Sequence, residues 1–294
     1  MQNRHVPFRV ASIQLSLFAF LFLIASSIAS LAAEEIIVQP IAHRGLLLHS
    51  PENTLANFTA CQQLRLGFEF DVRRSNDGVL VCLHDSTLQR TTTGTGAVVN
   101  RTWEGLSQLD AGSWFGPEFR GEKIPTIEQV FRLIAAYPTN STLFLADLKA
   151  EDEQLEADIV TLAQSQKIGE QLLYIGRAID QPDVRARLRK ADPKCHVACL
   201  AQTLADLDKA LLDRNSDWVY LRFIPDADSI AKVRAAGKKT IVAGITVSGQ
   251  QSRNWQNCAK ADVDAVLTDY PLEFRLALRE LVAEQLKARL KNND

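Results

Sequence analysis

The sequence has no basic excess, no cysteine framework and only one long apolar run, and each shortage removes a class of function. A formal charge of −2 over 294 residues leaves no lysine- and arginine-rich face for nucleic acid. There is no long acidic tail, no internal repeat and no low-complexity tract. The five cysteines, Cys61, Cys82, Cys195, Cys199 and Cys258, are odd in number and scattered, unlike the dense even sets of disulfide-stapled domains. Cys195 and Cys199 lie in "KCHVACLA", which reads as a strand. Four strand steps separate them by about 13 Å, beyond disulfide reach. No second Cys-x-x-Cys or His pair accompanies them, which argues against zinc. They read as buried small hydrophobes, although export would permit one bridge between distant positions. No basic amphipathic helix suggests docking on a membrane.

The one long apolar run is at the start. "MQNRHVPFRV" carries Arg4 and Arg9, "LSLFAFLFLIA" is almost wholly apolar, and "SSIASLAAEE" turns small and acidic. A basic, an apolar and a small-residue region in that order predict a secretory signal peptide, residues 1–32. Cleavage after Ala32 leaves Ser30 and Ala32 at the positions that prefer small side chains. An uncleaved anchor is the alternative, since the apolar stretch 10–28 is long enough if Ser12, Gln14 and Ser16 are tolerated. Cleavage is the expectation. It gives a periplasmic or secreted chain, 33–294, with a formal charge of −4 and no stable membrane insertion.

From residue 36 onward, short β-branched or aromatic runs alternate with segments of helical spacing such as "TIEQVFRLIAAYP", "TLADLDKALLDR" and "DADSIAKVRAAGK". The runs are "EIIVQPIAH", "GFEFDVR", "VLVCLHD", "STLFLADLK", "LLYIGRA", "CHVACLA", "WVYLRF", "KKTIVAGITV" and "VDAVLTD". Alternation at this length, with 46% hydrophobic residues, predicts a single (β/α)8 TIM-barrel domain. Nine runs are one too many. The surplus is "VLVCLHD", which follows "GFEFDVR" with only Asn76-Asp77-Gly78 between them, so it is expected to fold back as a β-hairpin. A stretch at 86–125, rich in Thr, Gly and Trp, is too long for an ordinary connection. Its aromatics, Trp103, Trp114, Phe115 and Phe119, predict a small packed insert. The tail reads as a final amphipathic helix.

The candidate chemistry sits at strand ends. A two-residue Asp77-Gly78 loop would set Asn76 opposite Val79 and Asp71 opposite His84. Glu69, two residues before Asp71, shares its face. Burying adjacent carboxylates is costly without a cation, and oxygen donors suit one divalent ion, Ca²⁺ or Mg²⁺. Alternation in "TLFLADLK" puts Asp147 and Lys149 on one face at the C-terminal end of a strand, where barrel active sites assemble. They read as a third ligand and a phosphate contact, or else as a surface ion pair. His43 and His84 could exchange protons near neutral pH, and Arg44 offers a fork of donors to a phosphate. Pro51-Glu52-Asn53-Thr54 marks a helix start, with simple capping as the plain role for Glu52 and Asn53.

These residues occur in ordered motifs: "HRG" at 43–45, "PENT" at 51–54, "EFDVRRSNDGVLVCLHD" at 69–85, "RTT" at 90–92, "IPTIEQV" at 124–130, "DLK" at 147–149 and "VLTDYP" at 266–271. The set resembles the glycerophosphodiester phosphodiesterase family, from about residue 37 to the last strand. The resemblance implies a metal-dependent hydrolase releasing sn-glycerol 3-phosphate and an alcohol from a small-molecule glycerophosphodiester. It implies His43 and His84 as the catalytic acid/base pair, and Glu69, Asp71 and Asp147 as metal ligands. Arg44 and Lys149 would hold phosphate, Glu52 and Asn53 would brace the loop, and 86–125 would be the family's insert. Three positions depart from the family pattern. Asp147 replaces a Glu, Ile245-Thr246-Val247-Ser248 replaces Trp-Thr-Val-Asn, and "LLYIGRA" lacks Ser-Phe. Other readings are a phospholipase D-like or phosphoinositide-type lipase on a related barrel, or a secreted protein that binds phosphate esters without turnover.

Overall fold

The expected alternation closes into a barrel. In the computed structural model, which describes residues 38–137, 142–149 and 152–292, nine strands form one sheet. They are β1 (Gln39–Ala42), β2 (Gly67–Arg74), β3 (Leu80–Cys82), β4 (Phe144–Leu148), β5 (Leu172–Ile175), β6 (His196–Ala201), β7 (Trp218–Leu221), β8 (Lys239–Val242) and β9 (Ala265–Thr268). β3 pairs antiparallel with β2, all other pairings are parallel, and β1 closes the ring by pairing with both β9 and β2. Eight parallel strands with helices between them make a (β/α)8 barrel. The expected signal segment, 1–32, lies outside the described residues. Among the described residues no helix is long and apolar enough to cross a membrane.

Period-2 alternation in β2 explains how one strand serves two environments. Phe68, Phe70 and Val72 point outward into the helix layer and are fully buried there. Phe68 stacks on Phe58 of the helix Leu55–Gln63 at 4.3 Å, and Phe70 meets Phe131 of the helix Ile127–Ala136 edge-on at 6.0 Å. The intervening Glu69 and Asp71 therefore face the barrel interior. Helix starts follow local chemistry: Thr126 and Gln129 form a reciprocal capping box, and Asp226 caps Ala227–Ala235.

The hairpin corrects one expectation. Arg74 pairs with Leu80 and Val72 with Cys82, one residue away from the expected register, so Asp71 is not opposite His84. The loop has three residues, not two: Ser75 N–H donates to Val79 O at 2.9 Å and Gly78 N–H to Ser75 O at 3.1 Å. Only Gly78 takes positive φ, +88°. Asp77 is held elsewhere, accepting from Ser75 Oγ (2.6 Å) and Trp103 N–H (2.9 Å), so it does not adopt the second left-handed conformation of a two-residue turn. The result is a turn ending in a left-handed glycine. A slip of one residue normally moves side chains to the other face. His84 escapes because it lies two residues beyond the end of β3, where the chain has left the ladder.

The run "KKTIVAGITV" is also shorter than expected. The strand stops at Val242, Gly244 turns the chain with φ +103°, and Ile245–Ser248 forms a single helical turn. The 86–125 insert has its own small core of Val98, Leu106, Ala111 and Ile124 with Val81, Leu83 and Leu88. Trp114, Phe115 and Phe119 form an edge-to-face row at 5.6 and 5.4 Å. All five cysteines are buried and unpaired.

Candidate active site

Closure of the barrel builds the first part of the site. The β1–β9 register sets Ala42 beside Thr268, and His43 N–H continues the ladder to Thr268 O at 3.1 Å. One step further, His43 Nδ1 lies 2.6 Å from Asp269 Oδ1. The chain then turns sharply, with Arg44 at φ +55° and Gly45 at +87°. A Cβ on Gly45 would fall 2.3 Å from Asn57 Oδ1, so only glycine fits. Asn57 is the fastener of this loop. Fully buried in a helix capped by Thr54, it accepts from Leu46 N–H and donates to Ser50 O and Pro51 O. The left-handed turn aims the backbone N–H of Arg44 at Glu69 Oε2, 2.9 Å away.

The acidic centre follows from strand register. Asp71 on β2 pairs with Asp147 on β4, and Glu69 lies one step back on the same face. Glu69 and Asp71 are 1% and 0% exposed, and ligand oxygens of all three carboxylates lie within 4.8 Å of one another. Lys149 Nζ bridges Asp147 Oδ2 (2.6 Å) and Asp71 Oδ1 (3.1 Å). Asn53, at φ +59°, donates to Asp71 Oδ2 at 2.7 Å and accepts from its backbone N–H at 3.2 Å. Arg44 Nε stands 3.6 Å from Asp71 Oδ2. A Cβ on Gly176, after β5, would meet Asp147 Oδ1 at 2.0 Å. The bare backbone there makes room for the Asp147 carboxylate.

Compensation within the cluster is incomplete. Glu69 Oε1 and Asp147 Oδ1 are buried without a hydrogen-bond partner, and Asp71 Oδ1 has only its ionic neighbour Lys149. Burial, reinforced by Asp71 and Asp147, lifts the Glu69 pKa well above the usual carboxylate range. Asp147 is raised as well, again by burial first. For Asp71, burial is outweighed by Lys149, Arg44 and His84, so its carboxylate stays charged. Unpartnered buried oxygens that converge, with no sulfur or ring nitrogen among the donors, fit a hard divalent cation.

His84 reaches the site by a second route. Arg73 clamps its carbonyl through Nε at 2.9 Å and Nη2 at 2.5 Å, and Nδ1 lies 2.7 Å from Asp85 Oδ1. Asp85 takes two bonds from Arg90, at 2.7 and 2.9 Å, which hold its carboxyl well below the usual range. Arg90 also grips buried Glu52 with two bonds of 2.8 Å, and Glu52 Oε1 accepts from Arg44 Nη1 at 3.1 Å. Thr54, not Glu52 or Asn53, caps the helix. His43, Arg44, Glu52, Asn53, Glu69, Asp71, His84, Asp147 and Lys149 thus belong to one connected set at the C-terminal mouth. Sequence reasoning assigned no role to Asp85, Arg90 and Asp269, although "LHD", "RTT" and "TDYP" contain them. Asn57 and Gly176 carried no sequence signal, because their need arises only when two elements meet.

The sequence profile of the Glycerophosphoryl diester phosphodiesterase family matches residues 43–273. A Bacillus subtilis protein, YhdW, assigned as a glycerophosphodiester phosphodiesterase, is 30% identical over 244 residues, 79% of this chain and 94% of its own length. A glycerophosphodiester phosphodiesterase from Agrobacterium tumefaciens superposes with a TM-score of 0.70 at 25% identity, covering 81% of this chain and 98% of its own. An Oleispira antarctica phosphodiesterase, solved with its product sn-glycerol 3-phosphate, gives a TM-score of 0.67 at 26% identity and covers 83% and 97%. With its barrel, its acidic centre and its two carboxylate-backed histidines all at one mouth, this chain belongs to the glycerophosphoryl diester phosphodiesterase family.

Proposed function

We propose that the chain hydrolyses glycerophosphodiesters to sn-glycerol 3-phosphate and an alcohol, with a divalent cation, Ca²⁺ or Mg²⁺, at Glu69, Asp71 and Asp147. One observation carries this reading. Three convergent carboxylates with unpartnered oxygens share a barrel mouth with two imidazoles, each braced by its own carboxylate. Export, expected from residues 1–32, would place the reaction outside the cytoplasm.

Each residue has a physical task. Asp269 and Asp85 accept from Nδ1–H of His43 and His84, which leaves each Nε2 free to take or give a proton. One ring deprotonates the attacking oxygen while the other protonates the departing alkoxide. That oxygen belongs either to water or to the substrate's own glycerol hydroxyl; the second route passes through a cyclic phosphate. The cation supplies Lewis-acid polarisation of a phosphoryl oxygen when bound. Arg44 and Lys149 add positive charge where the transition state becomes more negative. Asn53 and Glu52 keep Asp71 and Arg44 in place through the contacts described above.

Product identification tests the proposal. Incubation with glycerophosphodiesters of neutral and charged head groups should release sn-glycerol 3-phosphate, and chelation should stop the release. Glycerol plus a phosphorylated head group, or release that ignores chelator, would reject it. The carboxylate behind His43 gives a second expected outcome. Asp269→Asn removes the charge and can turn an amide N–H toward Nδ1, favouring the tautomer with Nε2 already protonated, so kcat should fall about 10²-fold with KM little changed. A change in KM alone, measured by steady-state kinetics, would assign Asp269 to substrate binding instead.

A further inference from the structure

The two halves of the barrel mouth differ in charge. The ends of β1, β2 and β4 carry the acidic centre together with the cations that neutralise it. The two residues following each of β5, β6, β7 and β8 include Arg177 and Arg222 and no carboxylate at all. Among the described residues neither guanidinium has an ion-pair partner, whereas Arg44, Arg74, Arg90 and Lys149 all do.

Arg222 is exposed, and its guanidinium rests between two neighbours. Tyr220, one pleat earlier on β7 and buried in the barrel, lies under its guanidinium at 5.8 Å and takes a long bond from Nη1 at 3.4 Å. On the other side the guanidinium lies against the bare backbone of Gly244. A Cβ there would stand 2.9 to 3.1 Å from its Nε, Cζ and Nη2, and the φ of +103° excludes most side chains anyway. The next residue, Ile245, is 85% exposed and offers no ring face to an ammonium group. A guanidinium exposed at the mouth, with donors unspent and no carboxylate paired to it among the described residues, repels a cationic head group and matches an anionic one.

We propose that Arg222 is a specificity-determining residue that receives an acidic group on the leaving alcohol, making glycerophosphodiesters with anionic head groups the preferred substrates. This rests on the hydrolase activity proposed above and names its substrate class. The matched probes are sn-glycero-3-phosphoinositol and its inositol 4-phosphate derivative, with sn-glycero-3-phosphocholine as the cationic counterpart. The wild-type enzyme should favour the phosphorylated ester over the neutral one, and the neutral one over the choline ester, in kcat/KM. Arg222→Gln should lower the acidic-to-neutral ratio 10- to 100-fold, mainly through KM, and Arg222→Lys should retain part of the preference. An unchanged ratio, or equal losses on both esters, would overturn the inference, since Arg222 would then serve the shared phosphate or the fold. Failure of the wild-type enzyme to cleave any ester would instead remove the hydrolase function itself, and this inference with it.

Discussion

Replacing His43 or His84 with alanine is expected to lower kcat by about 10³- to 10⁴-fold, and removing both should cost little more than removing one. The two rings would act in a single proton circuit, so their effects should not add. Stability should hardly change, because both side chains are roughly a third exposed, 28% and 32%, and neither supports the apolar core. Unfolding midpoints within a few degrees of wild type would confirm that the loss is chemical. The two variants can be told apart with a p-nitrophenyl ester of glycerol 3-phosphate. Its leaving group needs no proton, so the variant lacking the general acid should recover much of its rate and the variant lacking the base should not. Full activity in either alanine variant on natural esters would reject the paired mechanism.

Glu69→Gln has an effect of opposite sign on stability and activity. Three carboxylates within 4.8 Å, two of them fully buried, repel one another, and two cations, Lys149 and Arg44, only partly offset that repulsion. Glutamine preserves the shape and can still accept from Arg44 N–H, so the ion-free variant should melt no lower than wild type. The cation response should disappear. In wild type, Ca²⁺ or Mg²⁺ at a hundred times its dissociation constant should add about 2.7 kcal/mol of stability, and in Glu69→Gln almost none. Activity should fall with it. Differential scanning calorimetry with and without each ion reads both outcomes, and an equal thermal shift in the variant would move the cation elsewhere.

Much of this site was legible because it rests on period 2. Glu69 and Asp71 share a face whatever the partner strand, and the apolar Phe68, Phe70 and Val72 say which face is outward. The strand–helix alternation likewise points to the barrel. What failed was register, which depends on a single turn. Asp77-Gly78 has the composition of a two-residue loop, but Asp77 is committed to Ser75 and to Trp103 of the insert, and no local pattern reveals a contact 26 residues away. The supporting carboxylates were hidden for a related reason. Asp85 and Asp269 gain meaning only once β3 ends early and β9 closes on β1. Gly176 is needed because Asp147 approaches from another strand.

The seam between β1 and β9 has a temporal meaning as well. His43 and its carboxylate are 226 positions apart in the chain, on the first and last staves, so a polypeptide emerging from the ribosome carries one half of this couple long before the other exists. A form truncated before β9 keeps β2 and β4 in its sequence yet lacks the aspartate that stands beside the ring. Under the function proposed above, proton transfer through His43 would be complete only once β9 has joined β1.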